Sequence, residues 1–256
     1  MTALAPRIYA LETKYEFLKL VRIPAFAIPS VTFPVMFYVL FGLTFGSGRG
    51  LGGVSMATYL IATYGAFGVI GSALFGFGAG VAIERGQGWM LLKRATPMPV
   101  AAYFFAKLAV CLIFGAIIVL LLSSIGIAFG GVRLAPLTWA RLGSTIVLGA
   151  IPFCAMGLAI GYFAGPNSAP PIVNLIYLPM GFVSGLWIPI DVLPGAIKSI
   201  APYVPAYHLG QLALAAIGAD RGAPAWSHVA ALAGFTCIFL ALALWGYRND
   251  EGKTYG

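Results

Sequence analysis

The sequence has few charged residues for its length. Of 256 residues, 15 are Lys or Arg and 7 are Asp or Glu, and 61% are hydrophobic. A soluble protein carries roughly 25% charged residues, whereas this chain carries 9%. So few charges could not cover the surface of a soluble globule of this size. A disordered chain is also excluded, because disorder requires low hydrophobicity and high net charge. The composition therefore predicts an integral membrane protein.

The sequence also lacks the motifs of disulfide, metal and nucleotide sites. Cys111, Cys154 and Cys237 lie in apolar stretches without a C-x-x-C pair, which disfavours a disulfide framework or a zinc site. There is no G-x-x-x-x-G-K-[ST] phosphate loop, so ATP chemistry would require a separate chain. We expect this chain to have no catalytic residues and to bind no metal or cofactor. The net charge of +8 requires no nucleic acid, because cytoplasmic loops collect Lys and Arg.

The intervals between charges locate the membrane spans. A charge at the bilayer centre costs at least about 2.5 kcal/mol, and a span needs roughly 20 residues. Residues 190–221 contain Pro202, Pro205 and the polar His208, so they are predicted to form short broken helices in a re-entrant element. A seventh span is the alternative there. The sequence thus predicts an all-α protein with six transmembrane helices, near residues 25–45, 58–82, 103–129, 142–164, 171–189 and 228–247.

The positions of Lys and Arg predict the orientation. Ten lie in the N-terminal segment, the second loop and the C-terminus, and five lie in the opposite loops, which places both termini in the cytoplasm. Residues 1–22 are predicted to form an amphipathic helix in the inner interface. Lys107 is expected to reach the same interface. The apolar face of the helix would carry Leu4, Ile8, Leu11, Tyr15 and Leu18, and the polar face Arg7, Glu12, Lys14, Glu16 and Lys19.

The second cytoplasmic loop, residues 84–99, has a pattern typical of a docking element. Its residues 87–94 can form two helical turns that end at Thr96-Pro97, because Pro disfavours helix in the residue before it. Trp89 and Leu92 would then share one face and fit a groove on a cytoplasmic partner. A solvated basic loop that only sets the topology is equally compatible with these residues.

Two stretches of sequence point to one known family. The first contains Glu84-Arg85 and Leu91-Leu92-Lys93-Arg94-Ala95-Thr96-Pro97-Met98-Pro99, and the second runs over 182–194 and 200–209. Together they resemble the ABC-2 family of ABC-transporter permeases, closest to its drug- and lipid-exporting branch, and the resemblance covers essentially the whole chain. Many members carry Thr-Leu-Glu where this chain has Gly88-Trp89-Met90, so the resemblance implies docking contacts least directly at these positions.

The resemblance implies a function and a set of contacts. Residues 1–256 would form a single transmembrane domain of an ATP-driven exporter in the inner membrane, moving an amphipathic or lipid-like substrate outward. Two copies of a cytoplasmic ATPase would bind the ATP and Mg, and the permease would form a homodimer. The residues that would couple the loop to the ATPase are Glu84, Arg85, Gly86, Trp89, Leu92, Lys93, Arg94 and Pro97.

Other residues are candidates for the substrate path. Phe37, Tyr64 and Asn174 are predicted to line it, and Asp191, Pro202, Pro205 and His208 to form an outer gate. The glycines of the second and fourth spans would serve internal packing or a dimer seam.

Two other functions have less support. An ion-coupled secondary transporter is the alternative, although no ionisable residue is placed at the bilayer centre. An intramembrane hydrolase using Ser184 and His228 is disfavoured, because Gly181-Phe182-Val183-Ser184-Gly185 lacks the G-x-S-x-G spacing.

Overall fold

The computed structural model describes residues 4–46, 53–96 and 98–250. Within these ranges the chain is helical and contains no β-strand. The helices are α1 (Leu4–Val21), α2 (Pro24–Phe37, continued by a π-helical segment Tyr38–Leu43), α3 (Met56–Gly86, π-helical over Leu74–Ala79), α4 (Trp89–Arg94), α5 (Val100–Ala128), α6 (Pro136–Leu148), α7 (Ile151–Phe163), α8 (Ala169–Val183), α9 (Gly195–Ile200), α10 (Pro205–Ala216) and α11 (Ala225–Asp250).

Several of these helices are long and apolar enough to cross a membrane. The segments are Phe26–Leu43, Met56–Gly86, Val100–Ala128, Pro136–Phe163 and Ala225–Asn249. They confirm a multi-pass membrane protein. The remaining predicted span corresponds to α8, which has 15 residues, fewer than the roughly 20 that a span needs. The count of six spans therefore stays a prediction.

Helix α3 forms the centre of the bundle. Residues 57–73 are all buried, because α3 contacts α2, α5, α6, α8 and α10. It runs between the two ends of the bundle. We call the end that carries α1 and residues 84–99 the loop end, and the end that carries residues 190–222 the far end. The outer helices α2 and α11 have spans that are only 17% buried, so most of their surface faces away from the chain.

Glycines allow α3 and α7 to cross in direct backbone contact. A Cβ added to Gly157 would lie 3.0 Å from the Gly78 amide nitrogen, and one added to Gly161 would lie 2.9 Å from the Phe77 carbonyl oxygen. Any larger side chain would push the helices apart. These glycines of the second and fourth spans therefore serve internal packing, the first of the two roles considered above.

The segment between α8 and α11 is broken into short helices. It contains 3₁₀ turns at Ile190–Val192 and Ala201–Tyr203 besides α9 and α10. Prolines set these breaks: Pro194 precedes α9, and Pro205 is the first residue of α10, where the missing N–H costs nothing. Helix α10 packs against α3, α6 and α11. That this segment re-enters the membrane stays a prediction.

The N-terminal helix α1 packs along α5 with a face that the sequence did not predict. Glu16 is only 5% exposed, whereas Leu11 is 40% and Tyr15 62% exposed. The expectation that Glu12, Glu16 and Lys19 lie on a solvated polar face is therefore wrong. These side chains turn toward the bundle because each finds an oppositely charged partner there, which offsets the cost of burying its charge.

Candidate functional site

The loop end carries a short helix on a tight turn. Helix α3 ends at Gly86, and α4 starts three residues later, after Gly88 at φ +74°. Glycine adopts this left-handed conformation without a steric penalty. Gly86 itself lies against the loop between α7 and α8, since a Cβ there would be 2.6 Å from Cγ of Pro166. The turn thus holds α4 at a fixed position beside the ends of α3 and α7.

Two apolar side chains of α4 point away from the described part of the chain. Trp89 is 47% and Leu92 is 67% exposed, and they lie three residues apart on one helix. Large exposed apolar groups next to charged ones are typical of interaction sites. The side chain of Arg94 and all of Pro97, both predicted to couple to an ATPase, lie outside the described residues.

A cluster of four charged side chains lies behind this loop. We call Glu16, Lys19, Glu84 and Lys107 the charge cluster. The Lys107 ammonium is 2.8 Å from Oε1 of Glu16 and 2.9 Å from Oε1 of Glu84, and the Lys19 ammonium contacts both carboxylates. The Tyr103 hydroxyl donates a hydrogen bond of 2.6 Å to Oε2 of Glu84. The cluster therefore joins α1, α3 and α5 at one point.

The charge cluster is electrically balanced and mostly buried. Glu16, Glu84 and Lys107 are each less than 8% exposed, so the expectation that Lys107 reaches the interface is wrong. Burial alone would lower the pKa of Lys19, but the carboxylates of Glu84 and Glu16 outweigh it and raise that pKa above its usual value. Glu84, predicted to couple to an ATPase, faces the inside of the protein.

Two further coupling residues tie the loop to its neighbours. The Lys93 ammonium pairs with Glu12 of α1 and lies 4.4 Å from the centre of the Tyr103 ring. The Arg85 guanidinium donates to the carbonyl of Gly161 on α7. A displacement of α4 would thus act on α1 and α5 through Lys93, and a displacement of the end of α3 would act on α7 through Arg85.

Phe37 and Tyr64, two of the predicted path residues, line one cavity toward the far end. The Phe37 ring stacks on Trp187 at 5.3 Å between centroids, and the Tyr64 hydroxyl donates to the Trp187 carbonyl at 3.3 Å. The Trp187 Nε1 is buried and has no hydrogen-bond partner in the described part of the chain. The cavity has a volume of about 280 Å³, and its walls also include Phe41, Phe45, Met56, Leu60, Ile188 and Pro189.

Asn174 lines a second cavity, on the same α2–α3 side of the bundle. This cavity has a volume of about 320 Å³ and lies between α2, α3 and α8. Tyr177, which also lines it, stacks on Phe67 at 4.2 Å, and Phe67 contacts Trp187 of the first cavity edge-on at 5.3 Å. The structure therefore brings Phe37 and Tyr64 together and separates Asn174 from them by these rings.

The predicted gate residues fall into two groups. Nδ1 of His208 is 2.9 Å from Nδ1 of His228, and its Nε2 is 2.9 Å from the Pro202 carbonyl. Burial lowers the pKa of His208, although the Pro202 carbonyl opposes this effect. Asp191 lies instead in an exposed pair with Arg221 at 3.4 Å. Pro205 starts α10, which carries His208.

The same contacts bear on a hydrolytic site. Nδ1 of His228 contacts Nδ1 of His208, and the Ser184 hydroxyl donates to the Gly181 carbonyl at 3.2 Å. Neither contact joins a serine to a histidine, as nucleophilic catalysis would require.

Comparisons with known proteins cover most of the chain. The family model described as ABC-2 type transporter matches residues 9–217, a range that includes most of α1 and everything from α2 to α10. A protein of Bacillus subtilis (strain 168) named "Putative transport permease YvfS" is 28% identical over 236 residues. The match spans 92% of this chain and 95% of that protein, so the two are similar over most of their lengths.

Proposed function

Because this chain belongs to the ABC-2 type transporter family, we propose that it is the transmembrane subunit of an exporter driven by a separate ATPase. The observation that carries the proposal is the exposed pair Trp89 and Leu92 on a helix anchored from behind. The loop end is then cytoplasmic, with both termini on that side of the inner membrane. An ATPase groove covers the apolar face of α4, as helix-in-groove recognition requires.

The charge cluster provides the mechanical link in this proposal. Closure of two ATPase subunits on ATP displaces α4, and the contacts of Lys93 and Arg85 pass that displacement to α1 and α7. Glu84 passes it to α5 through Lys107. The spans shift between two arrangements only if ATP binding favours one of them. Glu84 thus acts by fixing the loop to the bundle, not by touching the ATPase.

The substrate in this proposal is amphipathic or lipid-like and moves outward. Both cavities on the α2–α3 side have mainly aromatic and aliphatic walls, with Asn174 as a polar group in one of them. Helix α2 is mostly uncovered, and Phe33, Met36 and Leu40 are exposed on it. A second copy of the chain covers this surface in the proposed homodimer, and the path runs beside the seam.

The proposal is tested by what co-purifies with the tagged chain from native membranes. The wild type is compared with the double variant Trp89→Ala, Leu92→Ala. The control is Trp226→Ala, Val229→Ala, which has the same spacing and similar exposure at the far end. We expect a Walker-A ATPase with the wild type and the control, and its loss from the loop variant. Absence of an ATPase from all three would contradict the proposal and favour ion-coupled transport.

Direction and substrate class require a transport assay. Vesicles containing the permease and its co-purified ATPase are loaded with a fluorescent short-chain phospholipid, with ATP on the loop side. We expect ATP to move the label from the loop-side leaflet to the opposite leaflet, where an added quencher cannot reach it. Movement in the reverse sense, or movement that requires an ion gradient and no ATP, would contradict export.

A further inference from the structure

The charged side chains of α1 are sorted by sign between two faces of the helix. Its two carboxylates, Glu12 and Glu16, face the bundle and form ion pairs with lysines of the loop and of α5. Arg7 and Lys14, together with Arg22 directly after the helix, are exposed instead. No carboxylate within the part of the chain that the structure describes pairs with these three cations. The outer face of α1 is therefore purely cationic.

The three cations share one side of the helix with exposed apolar groups. Arg7, Leu11, Lys14 and Arg22 are spaced by four, three and eight residues, which keeps them on one side of an α-helix. Leu11 is exposed between Arg7 and Lys14, and Tyr15 is exposed beside them. We call these five residues the outer stripe. A basic stripe that also carries leucine and an aromatic residue is typical of helices bound at a membrane surface.

The inner side of α1 follows a membrane span. Tyr9 contacts Phe105 at 5.3 Å between ring centres, and Phe17 contacts Phe114 at 5.8 Å. Both partners lie on the loop-end part of α5, a helix that is long and apolar enough to cross a membrane. The outer stripe is thus next to a span near the loop end, where a bilayer has its headgroups.

Charge complementarity favours one kind of partner for the outer stripe. An anionic headgroup can pair with each cation, while its acyl chains contact Leu11 and Tyr15. The stems of lysine and arginine are long enough to reach headgroups from a helix that lies against acyl chains. A zwitterionic headgroup would bring a second cation next to Arg7 or Lys14, and the same stripe of another permease copy would bring like charges. An acidic soluble protein would bind the stripe only if it lay in water.

We propose that the outer stripe of α1 binds the headgroups of anionic phospholipids in the leaflet at the loop end. That this leaflet faces the cytoplasm rests on the proposed function. Headgroups on one side of α1 and ion pairs on the other then hold the helix in place. Lys93 of the loop, which pairs with Glu12, therefore acts on a helix that is fixed at the membrane surface.

The test measures which lipids lie beside α1, with a fluorophore on Leu11→Cys or, should that variant not fold, on Tyr15→Cys. Every protein also carries Cys237→Ser, because Cys237 is exposed whereas Cys111 and Cys154 are buried. The purified full chain is placed in phosphatidylcholine vesicles with a minor fraction of phosphatidylglycerol or phosphatidylcholine that bears a quenching nitroxide on one acyl chain. We expect phosphatidylglycerol to be enriched about fivefold at the fluorophore, the factor that one basic residue at a membrane surface gives.

A second fluorophore position shows whether the preference belongs to α1. Leu120→Cys places the label at an exposed site on the far-end half of α5, away from the outer stripe. There we expect the two labelled lipids to quench equally. Equal quenching by the two lipids at position 11 as well would overturn the anionic preference and with it the proposal.

A matched pair of double variants tests the cations themselves. Arg7→Gln with Lys14→Gln removes two charges from the outer stripe, and Arg133→Gln with Arg141→Gln removes two exposed charges near the opposite end of α5. Only the first pair is expected to bring the enrichment at position 11 close to one. An equal effect of both pairs, or no effect of either, would contradict the assigned headgroup position.

A neutral water-soluble quencher, acrylamide, separates a membrane from a soluble partner. We expect it to quench the fluorophore at position 11 less than one on an exposed loop, because the stripe lies at the bilayer surface. Strong quenching by acrylamide and none by either labelled lipid would overturn the proposal in favour of an acidic protein. Because no ATPase is present, failure here is distinct from failure of the proposed function.

Discussion

The two ends of the bundle are held together by different interactions. At the loop end, Glu16, Glu84 and Lys107 are buried and ion-paired between three helices. At the far end the ion pair of Asp191 and Arg221 has both side chains more than 40% exposed. The far-end contacts also include aromatic stacking, a pair of imidazoles and a small apolar cluster around Ile190.

This difference indicates which end moves as a unit. Separating buried opposite charges leaves each one without a partner in a poorly solvated place, which costs several kcal/mol. Separating stacked rings or a neutral imidazole pair exposes groups that water or lipid can solvate at lower cost. We therefore expect the loop end to transmit motion rigidly and the far end to open and close.

The largest expected difference between the two ends is the loss of stability when one carboxylate is removed from each. Glu84→Gln leaves Lys107 buried with one carboxylate fewer, and we expect a loss of about 3–5 kcal/mol of stability. Asp191→Asn breaks an exposed pair and should cost less than about 1 kcal/mol. Thermal unfolding of both variants in one detergent measures the difference. Equal losses would mean that the charge cluster is not distinct from a surface pair.

A double variant shows whether the loss comes from the unpaired charge. Glu84→Leu with Lys107→Met removes one charge of each sign and leaves the pair of Glu16 and Lys19. Most of the stability should return, because well-packed apolar groups can replace a buried ion pair without net loss. Continued instability of the double variant would show that the ion pairs themselves are needed.

A substitution at the crossing of α3 and α7 has the next largest expected effect on stability. In Gly157→Val the added carbons meet the Gly78 amide and the Ala73 carbonyl, so α3 and α7 must separate. We expect a loss of about 1–3 kcal/mol, typical of overpacking. The control is Gly76→Ala, where an added Cβ has no heavy atom within 4 Å. Similar unfolding temperatures for the two variants would contradict the backbone contact.

The smallest expected effect concerns the histidine pair and pH. Burial lowers the pKa of His208, so the folded protein favours the neutral imidazole. The contribution of His208 to the free energy of unfolding should be complete above its unfolded pKa of about 6.5. It should be lost as the pH falls through the lowered pKa of the folded state. Among the described residues, Tyr207, Phe235 and a single carboxylate, Asp220, face the pair.

Melting temperatures between pH 5 and pH 7 check this prediction. The wild type should lose at most about 4 °C on acidification, and His208→Gln should show a flatter profile. A flatter profile of this variant assigns the effect to the far end. A wild-type profile that rises on acidification would contradict the assignment.

Local patterns predicted much of the fold but not how it packs. The charge-free intervals located α3, α5 and α11, because a span requires a continuous apolar run that any window of sequence reveals. The charge cluster was missed because Lys107 is 91 residues from Glu16 and 23 from Glu84. One signal was present: a lysine within an apolar run requires a counter-charge. The imidazole pair depends in the same way on the packing of α10 against α11.

The face of α1 shows the same limit. Periodicity separates its apolar from its charged residues, but it cannot tell which side contacts water, lipid or protein. The charged side faces the bundle because Glu12 pairs there with Lys93 and Glu16 pairs with Lys107. These partners are 81 and 91 residues away in the sequence. By contrast, the sequence did predict α4 and the shared face of Trp89 and Leu92, because i, i+3 spacing is a local property.

The most direct test of the account places a photo-reactive amino acid at position 92, in native membranes. The same amino acid at position 229, at the far end, is the control. We predict that irradiation at position 92 yields a covalent adduct with an ATPase that carries a Walker-A motif, and that position 229 yields none. Adducts with that ATPase at neither position, or equally at both, would contradict docking on α4.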